Sequence, residues 1–112
     1  MTLNKRIIDT LSPLGYPVDF AKYEGTNDKY IVFNFIDETG DDYADDAPQA
    51  ETAYVQVHFF APKTFNHNTA KKNIKNRLFN AGFTYPRVQT LYEDDTKLFH
   101  LIFETEYTGG IE

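Results

Sequence analysis

The sequence predicts an α+β domain in which two helices pack on one face of a mainly antiparallel sheet of four to five strands, in the order α-β-β-β-α-β-β, with a long acidic loop inserted. Three observations carry that expectation. Apolar residues recur at helical spacing in two segments, near residues 3–14 and 68–81. Apolar, β-branched and aromatic residues crowd or alternate in four further segments, as strands require. Glycine, proline, asparagine and aspartate fall between these segments, where the chain must turn.

The first helix rests on Leu3, Ile7, Ile8, Leu11 and Leu14, which fall within one stripe and leave Lys5, Arg6 and Asp9 for solvent. Thr2 is placed to cap its start, and Pro13 and Gly15 to end it. An extended piece follows around Val18–Tyr23, then a turn from Gly25 to Asp28. Tyr30–Ile36 reads as a strand with apolar residues on both faces, hence a central one. Asp37 to Glu51 has no periodicity and reads as a long acidic, flexible loop. In Thr52–Ala61, Val55, Val57 and Phe59 share one face, and Tyr54, Gln56, His58 and Phe60 the other. Pro62 stops that strand. The second helix is expected from about Asn68 to Asn80, with Ala70, Ile74, Leu78 and Ala81 inward and Gly82 as its left-handed terminator. Val88–Tyr92 and Lys97–Tyr107 then form a hairpin around Glu93–Thr96, and residues 108–112 read as a flexible tail.

A length of 112 residues is expected to form a single domain spanning residues 1–112. No cysteine occurs, so disulfides, thiolate metal sites and cysteine nucleophiles are excluded. No apolar run approaches the roughly 20 residues of a membrane helix, and MTLNKRIIDTL lacks a signal-peptide core, so a soluble chain with no membrane partner is expected. The net charge of −6 argues against general nucleic-acid binding, which needs a basic face. Its distribution is more telling. Residues 37–51 carry Asp37, Glu38, Asp41, Asp42, Asp45, Asp46 and Glu51 and no base, whereas residues 52–92 carry Lys63, Lys71, Lys72, Lys75, Arg77 and Arg87 and no acid.

The sequence offers little catalytic chemistry. Ser12 is the only serine and has no nucleophile-elbow context. His58 and His100 lie mid-strand on the face opposite the main apolar one, and they meet at metal-ligand distance if their strands are neighbours. Partly exposed sheet residues are the plainer account of both, and His67 belongs to a loop before the second helix and helps start it. The acidic segment has oxygen donors for Ca²⁺ but not the spacing of a calcium loop. Its paired carboxylates, Asp41/Asp42 and Asp45/Asp46, together with Asp94/Asp95, lack a visible cleft that would make them an acid and a base. No phosphate-binding glycine motif occurs, so no catalytic residue, metal or other cofactor is expected. Lys72, Lys75 and Phe79 recur at i, i+3 and i+7, with Lys71 beside them. Phe79 lies opposite the buried stripe, so it either folds back under Phe83 or anchors an interface.

The N-terminal amphipathic helix, Leu14-Gly-Tyr-Pro-Val18, Tyr23-Glu-Gly25 and Tyr30-Ile-Val-Phe33 together resemble the start of the small tail-terminator, or tail-completion, proteins of long-tailed bacteriophages. The resemblance continues through the acidic connector, Tyr54-Val-Gln-Val57, the Thr69–Ala81 helix and Glu104-Thr-Glu-Tyr107, covering nearly the whole chain. These are patterns of order and fold, shared in outline with other head-tail joining proteins. The resemblance implies a ring, hexameric in that family, which caps the tail tube, stops its polymerisation and meets the head connector. Implied partners are further copies of the chain, the major tail protein and a head-completion protein, with DNA passing through unbound. The implied location is the head-proximal end of the virion tail, after assembly in the host cytoplasm. Acidic and basic segments on one small chain suit the head-to-tail contacts that close rings, with Lys71, Lys72, Lys75 and Phe79 facing Asp41, Asp42, Asp45 and Asp46. Two rivals remain at this stage: a monomeric acidic binding protein that imitates nucleic acid, and an enzyme using loop carboxylates with His58 or His100.

Overall fold

The computed structural model describes the backbone of residues 2–44 and 47–109 and the side chains of residues 2–37 and 52–109. Helix α1 (Leu3–Leu11) begins where the Thr2 side chain accepts a hydrogen bond from the Lys5 amide at 3.2 Å. It tightens into a 3₁₀ turn at Ser12–Leu14, where Pro13 removes a donor, and ends on Gly15 with φ 95°. Strands β1 (Val18–Phe20), β2 (Tyr30–Ala44) and β3 (Ala47–Pro62) precede helix α2 (His67–Asn80). The hairpin of β4 (Arg87–Glu93) and β5 (Leu98–Gly109) closes the chain. The five strands lie in the order β1-β2-β3-β5-β4, with β1 parallel to β2 and the other pairs antiparallel.

Period-two alternation decides which side of this sheet is buried. Rows such as Ile31–Phe59–Leu101 and Phe33–Val57–Phe103 run across β2, β3 and β5 on one face. Both helices press onto that face: Ile7 and Leu11 of α1, with Ala70, Ile74 and Leu78 of α2, share one core with these rows. The expected inward stripe of α2 is therefore observed, with Ala81 packed at its margin and Gly82 at φ 101°. Among the described residues no helix covers the other face, and this leaves room for a different kind of surface there.

The acidic segment departs from expectation. Residues 37–44 and 47–51 are not a loop: they prolong β2 and β3 as paired strands, from Asp37↔Tyr54 to Ala44↔Ala47. Backbone pairing explains this, because each residue added to an existing ladder finds a partner for its amide and carbonyl whatever its side-chain polarity. Composition points to a loop because charged residues cannot bury a face, whereas backbone pairing depends on no side-chain pattern. Asp45 and Asp46 lie outside the described residues. At the C-terminus, Thr108 and Gly109 belong to β5, paired with Thr52 and Glu51, rather than to a tail; residues 110–112 are outside the described residues. The 54 Å long axis, against 25 Å in both other directions, matches strands of 15 and 16 residues rising about 3.3 Å each.

Candidate functional site

The uncovered face holds the densest polar chemistry among the described side chains. Register places Phe60 opposite His100, and His58 opposite Ile102, so the two histidines are diagonal neighbours on β3 and β5. His58 Nδ1 and His100 Nε2 face each other at 2.6 Å. The outer nitrogens are engaged as well: His58 Nε2 lies 3.1 Å from Asn34 Oδ1, and His100 Nδ1 lies 3.1 Å from Glu93 Oε2. Asn34 is on β2, His58 on β3, His100 on β5 and Glu93 on β4, so one hydrogen-bonded strap crosses four strands.

The proton inventory of this strap is constrained. Glu93 accepts from His100 Nδ1–H, which leaves His100 Nε2 a lone pair to accept from His58 Nδ1–H. His58 Nε2 then also carries a lone pair, which the Asn34 amide satisfies only by turning over to present its NH₂ group, since its Oδ1 faces Nε2. One further proton on His58 Nε2 is accommodated with the amide as placed, Nε2–H donating to Asn34 Oδ1. A second added proton would set N–H against N–H across 2.6 Å, and the pair would have to part. Burial pushes the His58 pKa down, with the neighbouring His100 adding to the effect and Glu93 opposing it. Burial likewise lowers the His100 pKa, and wins over the charge and hydrogen bond of Glu93.

Aromatic rings wall this strap. Tyr23 stacks on Tyr30 at 4.4 Å, Tyr30 on Phe60 at 4.8 Å and Phe60 on His100 at 4.2 Å. Gly25 permits the Tyr23 ring to fold over it, since a Cβ there would strike that ring. Burial raises the Tyr30 pKa, helped by Glu93 and Tyr23. The rings and the strap line a cleft of about 320 Å³, with Lys22 at its margin.

The other expected residues lie elsewhere. Ser12 is exposed at the end of α1, on the helical side of the sheet, and the histidine pair is on the opposite side. His67 is the first residue of α2 and stacks on Phe99 at 4.7 Å. Lys71 and Lys75 are half-buried and Lys72 is exposed. Lys75 Nζ sits 5.6 Å from the centre of the Tyr85 ring, which Phe79 meets edge-on at 5.7 Å. Phe79 is 54% exposed, so it does not fold back into the core. Asp41 and Asp42 fall on the backbone of β2, in the arm. Sequence reasoning brought His58 and His100 together but missed their outer partners. Only the register Val32↔His58 sets Asn34 beside His58, and Glu93, expected in the hairpin turn, ends β4.

Among the described residues no group of three or more histidine, aspartate or glutamate side chains is arranged to hold a metal ion, and no helix is long and apolar enough to cross a membrane. The architecture defines a two-layer α+β domain with a projecting β-arm. No protein-family model matches the chain, and no curated protein matches it at a significant level.

Proposed function

We propose that this protein is a structural subunit that assembles head to tail into a ring, of the kind that caps a phage tail tube, ends its polymerisation and joins the tail to the head connector. The observation that carries this reading is the arm. Beyond Glu51↔Gly109, β2 and β3 continue to Ala44↔Ala47 with no third strand among the described residues. A lone two-stranded ribbon is marginal in water, so a projecting one gains its stability from a neighbour. That neighbour is a further copy whose basic α2 region, with Lys71, Lys72, Lys75 and Phe79, complements the acids Asp41, Asp42, Asp45 and Asp46 carried on the arm sequence. The histidine strap supports a structural role, because both nitrogens of His58 and both of His100 already have partners. The particular assignment to tail termination rests on the resemblance described above.

Tube assembly tests the reading. Major tail protein polymerised with this protein should give tubes of limited length carrying a ring at one end by electron microscopy. Tubes of unaltered length, together with a strictly monomeric protein that binds a basic partner, would favour an acidic binding protein instead.

A further inference from the structure

We infer that the ring contact is made between the two lateral edges of the sheet, with β4 of one copy pairing antiparallel against the open edge of β2 in the next. This rests on the ring reading and names the surfaces that form it. Among the described residues six large hydrophobic side chains are exposed: Phe20 (48%), Ile36 (52%), Phe79 (54%), Tyr85 (56%), Leu91 (42%) and Tyr92 (42%). None sits in the middle of the sheet. Phe20 and Ile36 lie on the β1/β2 side; Leu91 and Tyr92 are on β4, Tyr85 just precedes it, and Phe79 packs on Tyr85. Apolar side chains confined to two opposite margins mark a heterologous contact rather than a self-complementary one.

The backbone supplies the means of joining. β1 pairs with β2 only at Ile31, Val32 and Phe33, so no described strand borders β2 on that side over residues 34–44. β4 pairs with β5 alone. Among the described residues neither edge is bordered by a further strand, and the backbone of a sheet edge is where a second strand pairs. β4 has seven residues and fits within the open stretch of β2. Three successive antiparallel pairings separate β2 from β4, so β4 runs opposite to β2. Rotation about a ring axis preserves that relation, and neighbouring copies meet antiparallel. Charge agrees: β2 carries Asp37, Glu38, Asp41 and Asp42 along its sequence, while Arg87 starts β4 and Lys75 lies on Tyr85 beside it. The bulge at Ile36, between the paired residues Phe35 and Asp37, holds an apolar side chain out at this edge.

Because the chain has no cysteine, introduced thiols report without background. Two single variants, Ile36→Cys and Leu91→Cys, are incubated alone and mixed, both in free solution at raised concentration and on tail tubes, with a short bismaleimide. Crosslinks in the mixture and in neither variant alone are expected, and the doubly substituted chain should give a ladder ending at the ring size. Leu91→Asp, at a solvent-exposed position, should keep the monomer's unfolding midpoint and weaken association about tenfold or more. Crosslinking within one single variant would show a two-fold contact and overturn the inference. Rings by native mass or microscopy without mixed crosslinks would overturn it while leaving the ring reading intact. No association in solution or on tubes would overturn both.

Discussion

Acidification should destabilise this protein through the His58–His100 pair, and the size of the effect follows from proton exclusion. Unfolded, each imidazole titrates at its ordinary value of 6.5. Folded, the strap takes one added proton, which His58 Nε2 donates to Asn34 Oδ1, and refuses a second, because two N–H groups cannot face each other across 2.6 Å. The groups facing the pair do not relieve this: Glu93 on β4 is already bonded to His100, Tyr30 on β2 is neutral with a raised pKa, and Lys22 at the cleft margin is cationic. Both folded pKa values are lowered, so the stabilisation is fully present above pH 6.5 and is lost as pH falls through the folded values. Each pH unit over which one proton is excluded from the folded strap is worth about 1.4 kcal/mol. Carboxylates contribute their own acid dependence, which a reference variant removes. Urea unfolding near pH 7.5 and near pH 5 is compared for the natural chain and the His58→Gln/His100→Gln variant, which keeps polar side chains but cannot titrate. The natural chain should lose more, by about 1.4 kcal/mol for each pH unit over which the exclusion holds, and its urea midpoint should fall further than the variant's. Equal losses in the two proteins, or nitrogen NMR showing both imidazoles protonated near pH 5.5 with the pair intact, would refute the reasoning.

Adjacent residues of α2 should behave oppositely: Leu78→Ala, fully buried, costs about 2–5 kcal/mol in unfolding free energy, whereas Phe79→Ala stays within about 0.5 kcal/mol and weakens self-association instead. Sedimentation beside thermal unfolding separates the two. Replacing Lys72 and Lys75 with Glu should abolish association or incorporation into tails, and adding Asp45→Lys and Asp46→Lys on the same chain should restore part of it by swapped pairing. The natural association should also weaken with salt, since exposed charges are screened beyond about 8 Å at physiological ionic strength. Gly82→Ala, at φ 101°, should destabilise by about 1 kcal/mol because a left-handed terminator is forced onto a residue with a Cβ; a melting curve reads it.

What the sequence made legible was whatever a single segment decides for itself. The α1 stripe, the Thr2 cap, the glycine terminators and the inward row of β3 are all period or capping signals, and each appears where its residues put it. The arm was not legible. Its residues from Asp37 onward carry no apolar alternation, and they are held by a ladder that composition does not encode. The strap was half legible for a related reason. Alternation put His58 and His100 on one face, but partnership depends on the diagonal between β3 and β5, which only register fixes. Phe79 was visible as an anomaly on the helical wheel, and its two readings differed in where Tyr85 goes, which is a tertiary fact.

The two faces of the sheet are stabilised by different physics, and the difference bears on function. One face is closed by helices over aliphatic and aromatic rows, a non-directional burial that tolerates shape-conserving substitutions. The other is closed by stacked rings and by a strap that crosses from β2 to β4, a directional arrangement that fixes the spacing between those strands. A catalytic base needs a ring nitrogen free to meet a substrate proton, whereas all four nitrogens of this pair are already engaged within the protein. Side chains committed in this way hold strand spacing. Since β2 and β4 carry the two edges at which copies are inferred to meet, the strap holds in register the parts of the sheet that a ring depends on.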